Sequence, residues 1–359
     1  MKISLLGKIS TFLLLLLFSC DNSSEDTSQI YRGGIFVVNE GPFTGGTGSI
    51  SFIDPQSKNV VNSIFSKTND RPLGNIAQSI NFFNGYGYIV VNNANKVEVV
   101  EEGTFRSVTT IEELMLPRNI LGITQKKAYV SCWGEQSQGE IKVINLENHT
   151  IIKTISVATG PGAMVKVGNR VYVVNGGGFG SDNKISVIDI TIDEVIDTIE
   201  VDDNPNSIVV DDSGRLWITC GGRKKYDQNT YEIIPEESTY GSLLQMDADT
   251  YEIIKRLNFN SIYDSPGNLI TNEPGNTLFY LLGNGVYKFS VNDSNLPSSP
   301  LIGATFYGLG FDEYSGYLYG ADAGDYTSAG TVLSYRSTDG VAVDTFRVGI
   351  IPNSFYFDN

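Results

Sequence analysis

The chain has 359 residues, 41% of them hydrophobic, with 25 basic against 41 acidic side chains and a formal charge of −16. That apolar content suffices for a packed core, and the negative charge argues against a nucleic-acid partner or direct binding to anionic lipid headgroups. The 38 glycines and 19 tyrosines, with no segment of sustained helical period, favour turns and strands, and a lone histidine excludes a multi-histidine metal centre.

The first element is "MKISLLGKISTFLLLLLFSC", with Lys2 and Lys8 ahead of an apolar run at 12–18 and then Ser19-Cys20. The run is too short to span a bilayer and reads as an export signal. Its Leu17-Phe18-Ser19-Cys20 ending resembles a bacterial lipobox, with Phe18 a departure from the usual pattern. The resemblance implies a lipoprotein signal peptide over 1–19 and a lipid on Cys20; the alternative is an ordinary secretory signal. Residues 20–32, which include the acidic "DNSSEDTSQ", form the expected tether. Acidic residues directly after the lipid cysteine resemble the surface-export signal of Bacteroidetes lipoproteins. That implies an outer-membrane protein facing outward, touching the membrane only through its lipid.

From residue 33 to 359 one phrase recurs: a β-branched and aromatic strand, a small polar residue, then a glycine-rich loop. It appears as "IFVVNEG", "YIVVNNA", "AYVSCWG", "VYVVNGG", "LWITCGG", "FYLLGNG" and "LYGADAG". The repeat of about 40–45 residues, lengthened in places by loops, suits a four-stranded propeller blade. A third strand follows each loop ("SISFID", "KISVID", "TVLSYR"), then a tight turn and a fourth strand such as "VIDTIEV". The connection to the next unit carries Pro72, Pro117, Pro161, Pro205, Pro266 or Pro352; "TFYGLGF" at 305–311 lacks one. A strand entrance is where a missing N–H costs least.

The predicted fold is therefore all-β: one domain over 33–359, a seven-bladed β-propeller of four-stranded antiparallel blades. A solenoid would need capping repeats, and none is seen. The first unit opens on a second strand, and the last, "IPNSFYFDN", stops after a first strand. Residues 353–358 are expected to pair beside 34–39 and close the ring, which removes two sheet edges. The "VYVVN" core, the Pro-Asn-Ser entry and the "V/I-x-V-I-D" strand resemble YVTN-type bacterial propellers. With the lipobox and acidic start, the chain is similar to Bacteroidetes surface lipoproteins, and most to the cobalamin-binding propellers partnered with the outer-membrane vitamin B12 transporter. That resemblance implies a non-enzymatic protein that captures cobalamin or a related corrinoid, as ligand and not cofactor, for outer-membrane uptake. Propeller repeats report packing rather than chemistry, so two alternatives stay open: a protein- or glycan-interaction module, and a metal-dependent hydrolase or lactonase.

Blade connectivity puts the loops between second and third strands on one face with the inter-blade loops, and loops on a rigid scaffold carry function. Candidate ligand-binding residues there are Asn39, Phe43, Arg71, Asn92, Asn93, Arg118, Trp133, Gln136, Asn175, Phe179, Arg223, Tyr226, Tyr231, Tyr240, Tyr307, Asp322 and Tyr326, with the turn at 351–353 a secondary candidate. Aromatic and amide groups with few charges suit a large flat ligand with a polar rim, such as an amide-edged corrin. Asn at strand ends is equally explained by turn geometry. The basic Arg223-Lys224-Lys225 lies in the longest insertion, 220–241, and reads as an anionic-group site, a lid, a partner contact or a solvated loop. His149 falls on the opposite face. Cys132 and Cys220 occupy equivalent positions two blades apart, too far for a disulfide. Glu40, Asp322 and Asp325 are possible Ca²⁺ ligands without EF-hand spacing. "NGGGFG" has the glycines of a phosphate cradle but no following helix.

Overall fold

Every residue of the second strand Ile35–Asn39 is buried, as is every residue of Leu216–Cys220. Each second strand lies between two strands of its own blade and has a neighbouring blade on either face. Its sequence is therefore a continuous apolar run rather than an alternation. The outer strand Glu194–Glu200 has one exposed edge, and its burial is broken accordingly. A computed structural model describes residues 30–135 and 138–358. The signal peptide, Cys20, most of the tether and Gln136 lie outside the described residues.

Seven antiparallel sheets form a ring. In six of them the chain runs from an innermost first strand outward, and in blade one the innermost strand comes from the C-terminal end of the chain. Six sheets have four strands among the described residues. The innermost strands neighbour one another around a closed circle: Pro352–Phe357, Ala77–Phe83, Pro117–Thr124, Pro161–Val167, Pro205–Val210, Gly267–Thr271, Gly308–Asp312 and back to the first. Closure occurs as expected. Pro352–Phe357 pairs with Ile35–Asn39, in register from Ile35↔Phe357 to Val38↔Ser354. The core is segmental, with apolar clusters between successive blades, such as Phe36, Phe52, Phe65 and Phe105 between blades one and two.

Blade six departs from the four-stranded expectation. It has Gly267–Thr271, Thr277–Leu282 and Gly285–Ser290 and no fourth strand. The segment that should supply it contains Pro297 and Pro300, which have no N–H to continue a ladder. It touches the blade edge through Val286 N–H to Ile302 O (2.9 Å) and Leu301 N–H to Val286 O (2.8 Å). A six-residue helix, Ile64–Asn69, fills the connection between blades one and two by burying Ile64 and Phe65.

The strand-entrance prolines have a consistent geometry. Pro117, Pro161, Pro205 and Pro352 are each the first residue of an innermost strand. Each follows a residue in the left-handed region: Leu116, Gly160, Asn204 and Ile351, at φ 51°, 64°, 55° and 55°. Directly after the proline the ladder slips, so Arg118, Asn206 and Asn353 are extra residues with no cross-strand partner. Gln78 takes the same position after Ala77. Bulges of this kind re-aim side chains. The entrance without proline is crowded instead: a Cβ on Gly308 would lie 1.7 Å from the carbonyl oxygen of Asn353.

Truncation before Pro352 removes the innermost strand of blade one, exposes the edge of Ile35–Asn39 and uncovers the facing innermost strands of blades two and seven. We expect the melting temperature to fall by about 10 °C or more, since a loss of about 1 kcal/mol shifts a chain of this size class by only a few degrees. Unchanged melting on calorimetry would contradict closure by this strand.

Candidate functional site

The bulged residues stand at the loop-face end of the innermost strands, around the mouth of the central channel. Glu40, one residue beyond the second strand of blade one, is drawn there by its backbone N–H to Ile351 O (2.8 Å). Its carboxylate accepts from Asn353 Nδ2 (2.8 Å), Gln78 Nε2 (3.2 Å) and the Tyr307 hydroxyl (3.2 Å). Three neutral donors from three blades thus hold one carboxylate. Tyr307 meets Tyr326 edge-on at 5.8 Å. Its hydroxyl is pushed up to about 12, first by burial and then by Glu40, so it stays a donor.

Arg118 supplies the positive charge. Its guanidinium lies 4.5 Å from the centroid of the Trp133 ring, and Trp133 meets Phe179 edge-on at 5.0 Å. Phe179 is 80% exposed. Burial lowers the Arg118 pKa from its ordinary value, with Glu40 and Tyr307 acting in the opposite direction. Among the described residues the guanidinium has no hydrogen-bond acceptor and no ion-pair partner within 4 Å. On the far side of the mouth, Asn206 donates to Pro266 O (2.8 Å) and accepts from Thr219 Oγ1 (2.8 Å).

Of the candidates read from the sequence, the structure brings Arg118, Trp133, Phe179, Tyr307 and Tyr326 to this mouth. Asn39, Asn92 and Asn175 are buried inside the blades instead. Asn39 Nδ2 bonds Ser51 Oγ (3.0 Å), Asn175 Nδ2 bonds Val173 O (2.8 Å) and Ser186 Oγ (3.1 Å), and Asn92 Nδ2 bonds Pro117 O (2.9 Å). Their recurrence fits repeat architecture. Asn93 is exposed and bonds Asn75 Oδ1 (2.8 Å). Arg71 lies over Phe65 (4.9 Å) and pairs with the fully buried Glu98 at 2.5 Å. Phe43 stands exposed in its loop. Asp322 caps its own turn by accepting from Gly324 N–H (2.8 Å).

The 220–241 insertion folds back on itself as a short arm, joined by a single β-bridge at Tyr226↔Ile233. Tyr226, Tyr231 and Tyr240 are exposed along it. At its base Lys224 Nζ donates to Thr239 O and Asp264 O, both at 3.2 Å. Arg223 is exposed, 4.0 Å from Asp203. Cys132 and Cys220 are both free and buried, and burial pushes each thiol up to about 12. His149 occupies a turn on the opposite face, 3.1 Å from the Tyr88 hydroxyl, with its pKa lowered by burial. Among the described residues no group of three or more His, Cys, Asp or Glu is placed to hold a metal ion. A cavity of about 350 Å³ on that opposite face lies between blades one and seven, against Tyr314, Tyr317, Tyr319 and Asp312.

Gln78 and Asn206 are mouth residues that loop composition did not mark, and Glu40 was marked only as a Ca²⁺ ligand. A signal for Asn206 was available: it directly follows a strand-entrance proline, as Arg118 and Asn353 do. Gln78 follows Ala77, so proline does not mark it.

A family model described as "Domain of unknown function (DUF5074)" matches residues 33–321. No curated protein matches the chain. Among solved structures, the chain resembles Kuenenia stuttgartiensis hydrazine synthase at 13% identity and TM-score 0.66, covering 88% of this chain and 99% of that one. It resembles a quinonprotein alcohol dehydrogenase-like protein from Bacteroides thetaiotaomicron at 15% identity and TM-score 0.66, over 92% and 79% of the two chains. The periplasmic gluconolactonase of Pseudomonas aeruginosa aligns at 11% identity and TM-score 0.64, over 90% and 99%. Such identities speak to the fold alone.

The Arg71–Glu98 pair gives a stability test. Burial pushes the Glu98 pKa up, but bonds from Arg71, Lys96 and Ser107 outweigh it and hold the group below its ordinary value of 4.5. Its contribution is therefore full above pH 4.5 and is lost as pH falls through the lower folded value. Arg71→Ala leaves Glu98 with Lys96 (2.8 Å) and should cost about 1–3 kcal/mol at neutral pH. The stability gap between wild type and Glu98→Gln, followed by urea unfolding, should close below pH 4.5; a gap that widens there would refute the assignment.

Proposed function

We propose that the chain, which belongs to the DUF5074 family, is a non-enzymatic binding protein that captures a small molecule at the loop-face mouth of its propeller. The ligand class favoured is a corrinoid, cobalamin or a close relative. Cys20 carries a lipid in this reading, and the protein delivers its ligand from the outside of the outer membrane to a transporter there. The carrying observation is the mouth itself: Trp133 and Phe179 on one side, Tyr307 and Tyr326 on another, with amides at Gln78, Asn206 and Asn353 between them. Aromatic faces cover a flat ring, and fixed amides match an amide-bearing edge. Bulged strand ends, rather than mobile loop tips, supply the polar groups.

A second reading draws on the arm at 223–240. Three exposed tyrosines on one short projection suit a protein or glycan contact. It is compatible with the first, because a capturing protein must also meet the transporter. The metal-dependent lactonase reading has no comparable support, since it needs a carboxylate cluster.

Calorimetric titration with cyanocobalamin tests the proposal. Saturable heat is expected, together with a change in the corrinoid absorbance. Trp133→Ala should weaken binding about tenfold or more, which corresponds to about 1.4 kcal/mol. Asn175→Ala should lower the melting temperature and leave affinity within about twofold, because that residue serves the blade. Absence of both heat and absorbance change in the wild type removes this ligand.

A further inference from the structure

The charges at the mouth do not balance locally in the way surface charges usually do. Glu40 and Arg118 share the opening, and an ion pair between them would be the obvious arrangement. Instead both Glu40 oxygens are occupied, Oε1 by Asn353 and Gln78 and Oε2 by Tyr307. Arg118 is left stacked on Trp133 with its planar donors unspent among the described residues. Stacking fixes the plane of a guanidinium without using its N–H groups. A guanidinium held this way presents a fork that matches the two oxygens of a phosphate or carboxylate.

The fold accounts for how the arginine is held. Arg118 is the extra residue of the bulge behind Pro117, so its backbone is clamped by the strand on either side: Pro117 pairs with Cys132 and Asn119 with Ser131. Its carbonyl oxygen accepts from Ser79 Oγ at 3.1 Å. Trp133 follows Cys132 on the strand alongside, and its N–H donates to Leu116 O at 3.2 Å. Cation and ring are thus set by the same two strands.

We propose that Arg118 is the specificity anchor of the mouth and receives a singly charged oxyanion of the ligand, a phosphodiester or a carboxylate. This rests on the mouth being the ligand site, as argued above. The restriction to a single negative charge follows from the surroundings. The chain carries a formal charge of −16 and the acidic Glu40 side chain stands at the same opening, so a multiply charged anion meets repulsion that one bidentate arginine does not offset. The favoured corrinoid meets this requirement, since cobalamin carries one phosphodiester, whereas cobinamide lacks it.

The chain offers its own reporter. It has two tryptophans; Trp217 is fully buried with its indole N–H on Asp211 (2.8 Å), and Trp133 is the one under Arg118. Dimethyl phosphate is titrated into the full-length protein at constant ionic strength, with chloride as the balancing anion, and tryptophan emission is followed. A saturable change is expected in the wild type. Arg118→Lys, which keeps the charge, should weaken it several-fold, and Arg118→Gln should weaken it at least tenfold. Trp133→Phe should abolish the signal. No saturable change in the wild type, or an equal one in Arg118→Gln, overturns the proposal. Calorimetry with cyanocobalamin and dicyanocobinamide separates the two levels of argument. If Arg118→Gln weakens cyanocobalamin selectively, the oxyanion contact stands. If it affects neither corrinoid, the anchor is wrong and the mouth reading survives. If the wild type binds neither corrinoid, the corrinoid reading fails, and the dimethyl phosphate titration still decides the oxyanion.

Discussion

The pairing of Pro352–Phe357 with Ile35–Asn39 is the contact on which the rest of the architecture rests. A propeller blade cannot bury both faces alone; each is covered only by its neighbours, so the core exists as clusters between blades. A break anywhere in the ring leaves two blade faces uncovered. Here the break is covalent, because the chain has two ends, and it is sealed by placing a C-terminal strand innermost in the blade that holds the N-terminal strands. Phe355 and Phe357 then pack with Tyr319 of blade seven, at ring distances of 6.2 and 5.4 Å, while Tyr356 turns toward Phe82 of blade two at 4.7 Å. One strand serves both seams.

The same strand reaches the mouth. Asn353, extra in the ladder, holds Glu40, and Glu40 in turn gathers Gln78 from blade two and Tyr307 from the entrance to blade seven. Ring closure and site geometry therefore share a carboxylate. This is a reason to find an acidic side chain surrounded by neutral donors rather than by a cation. A direct pair with Arg118 would hold two points together, whereas three hydrogen bonds hold three blades at fixed separations around the opening.

The fold was legible in the sequence because its signal is repeated. A run such as "VYVVN", buried on both faces, recurs seven times, and each recurrence restates the period. Blade closure followed from counting first and second strands. Blade six was misread because "VYKFSV" leads into a segment of suitable length whose prolines forbid a ladder; composition there outweighed period. The site was only partly legible. Trp133, Phe179, Tyr307 and Tyr326 stand out because large aromatics in loops are unusual. Asn39, Asn92 and Asn175 were drawn into the same list by their place in the repeat, yet their amide N–H groups are spent in the interior, Asn39 and Asn175 within their own blades and Asn92 on Pro117 O of the next. Arg71 is similar: a loop arginine whose partner, Glu98, lies in the middle of a strand and is unseen from the loop sequence.

What sequence reading did not resolve is the consequence of a single extra residue. A bulge shifts one side chain out of the alternation, and neither hydrophobic period nor turn composition records it. Yet the proline ahead of it, confined to one φ and lacking an N–H, marks where the ladder begins. The left-handed residue before the proline sets the angle at which the chain enters. Position two after such an entrance is thus the place in each repeat where a side chain escapes the packing rules of the blade. In this ring those positions hold Gln78, Arg118, Asn206 and Asn353, polar side chains with donors in every case and a formal charge in one, while Gly162 behind Pro161 leaves its position without a side chain. A scaffold that repeats the same bulge can change its chemistry there without disturbing a single core contact, and so the individuality of this propeller is concentrated at the strand entrances as much as in its longest loop.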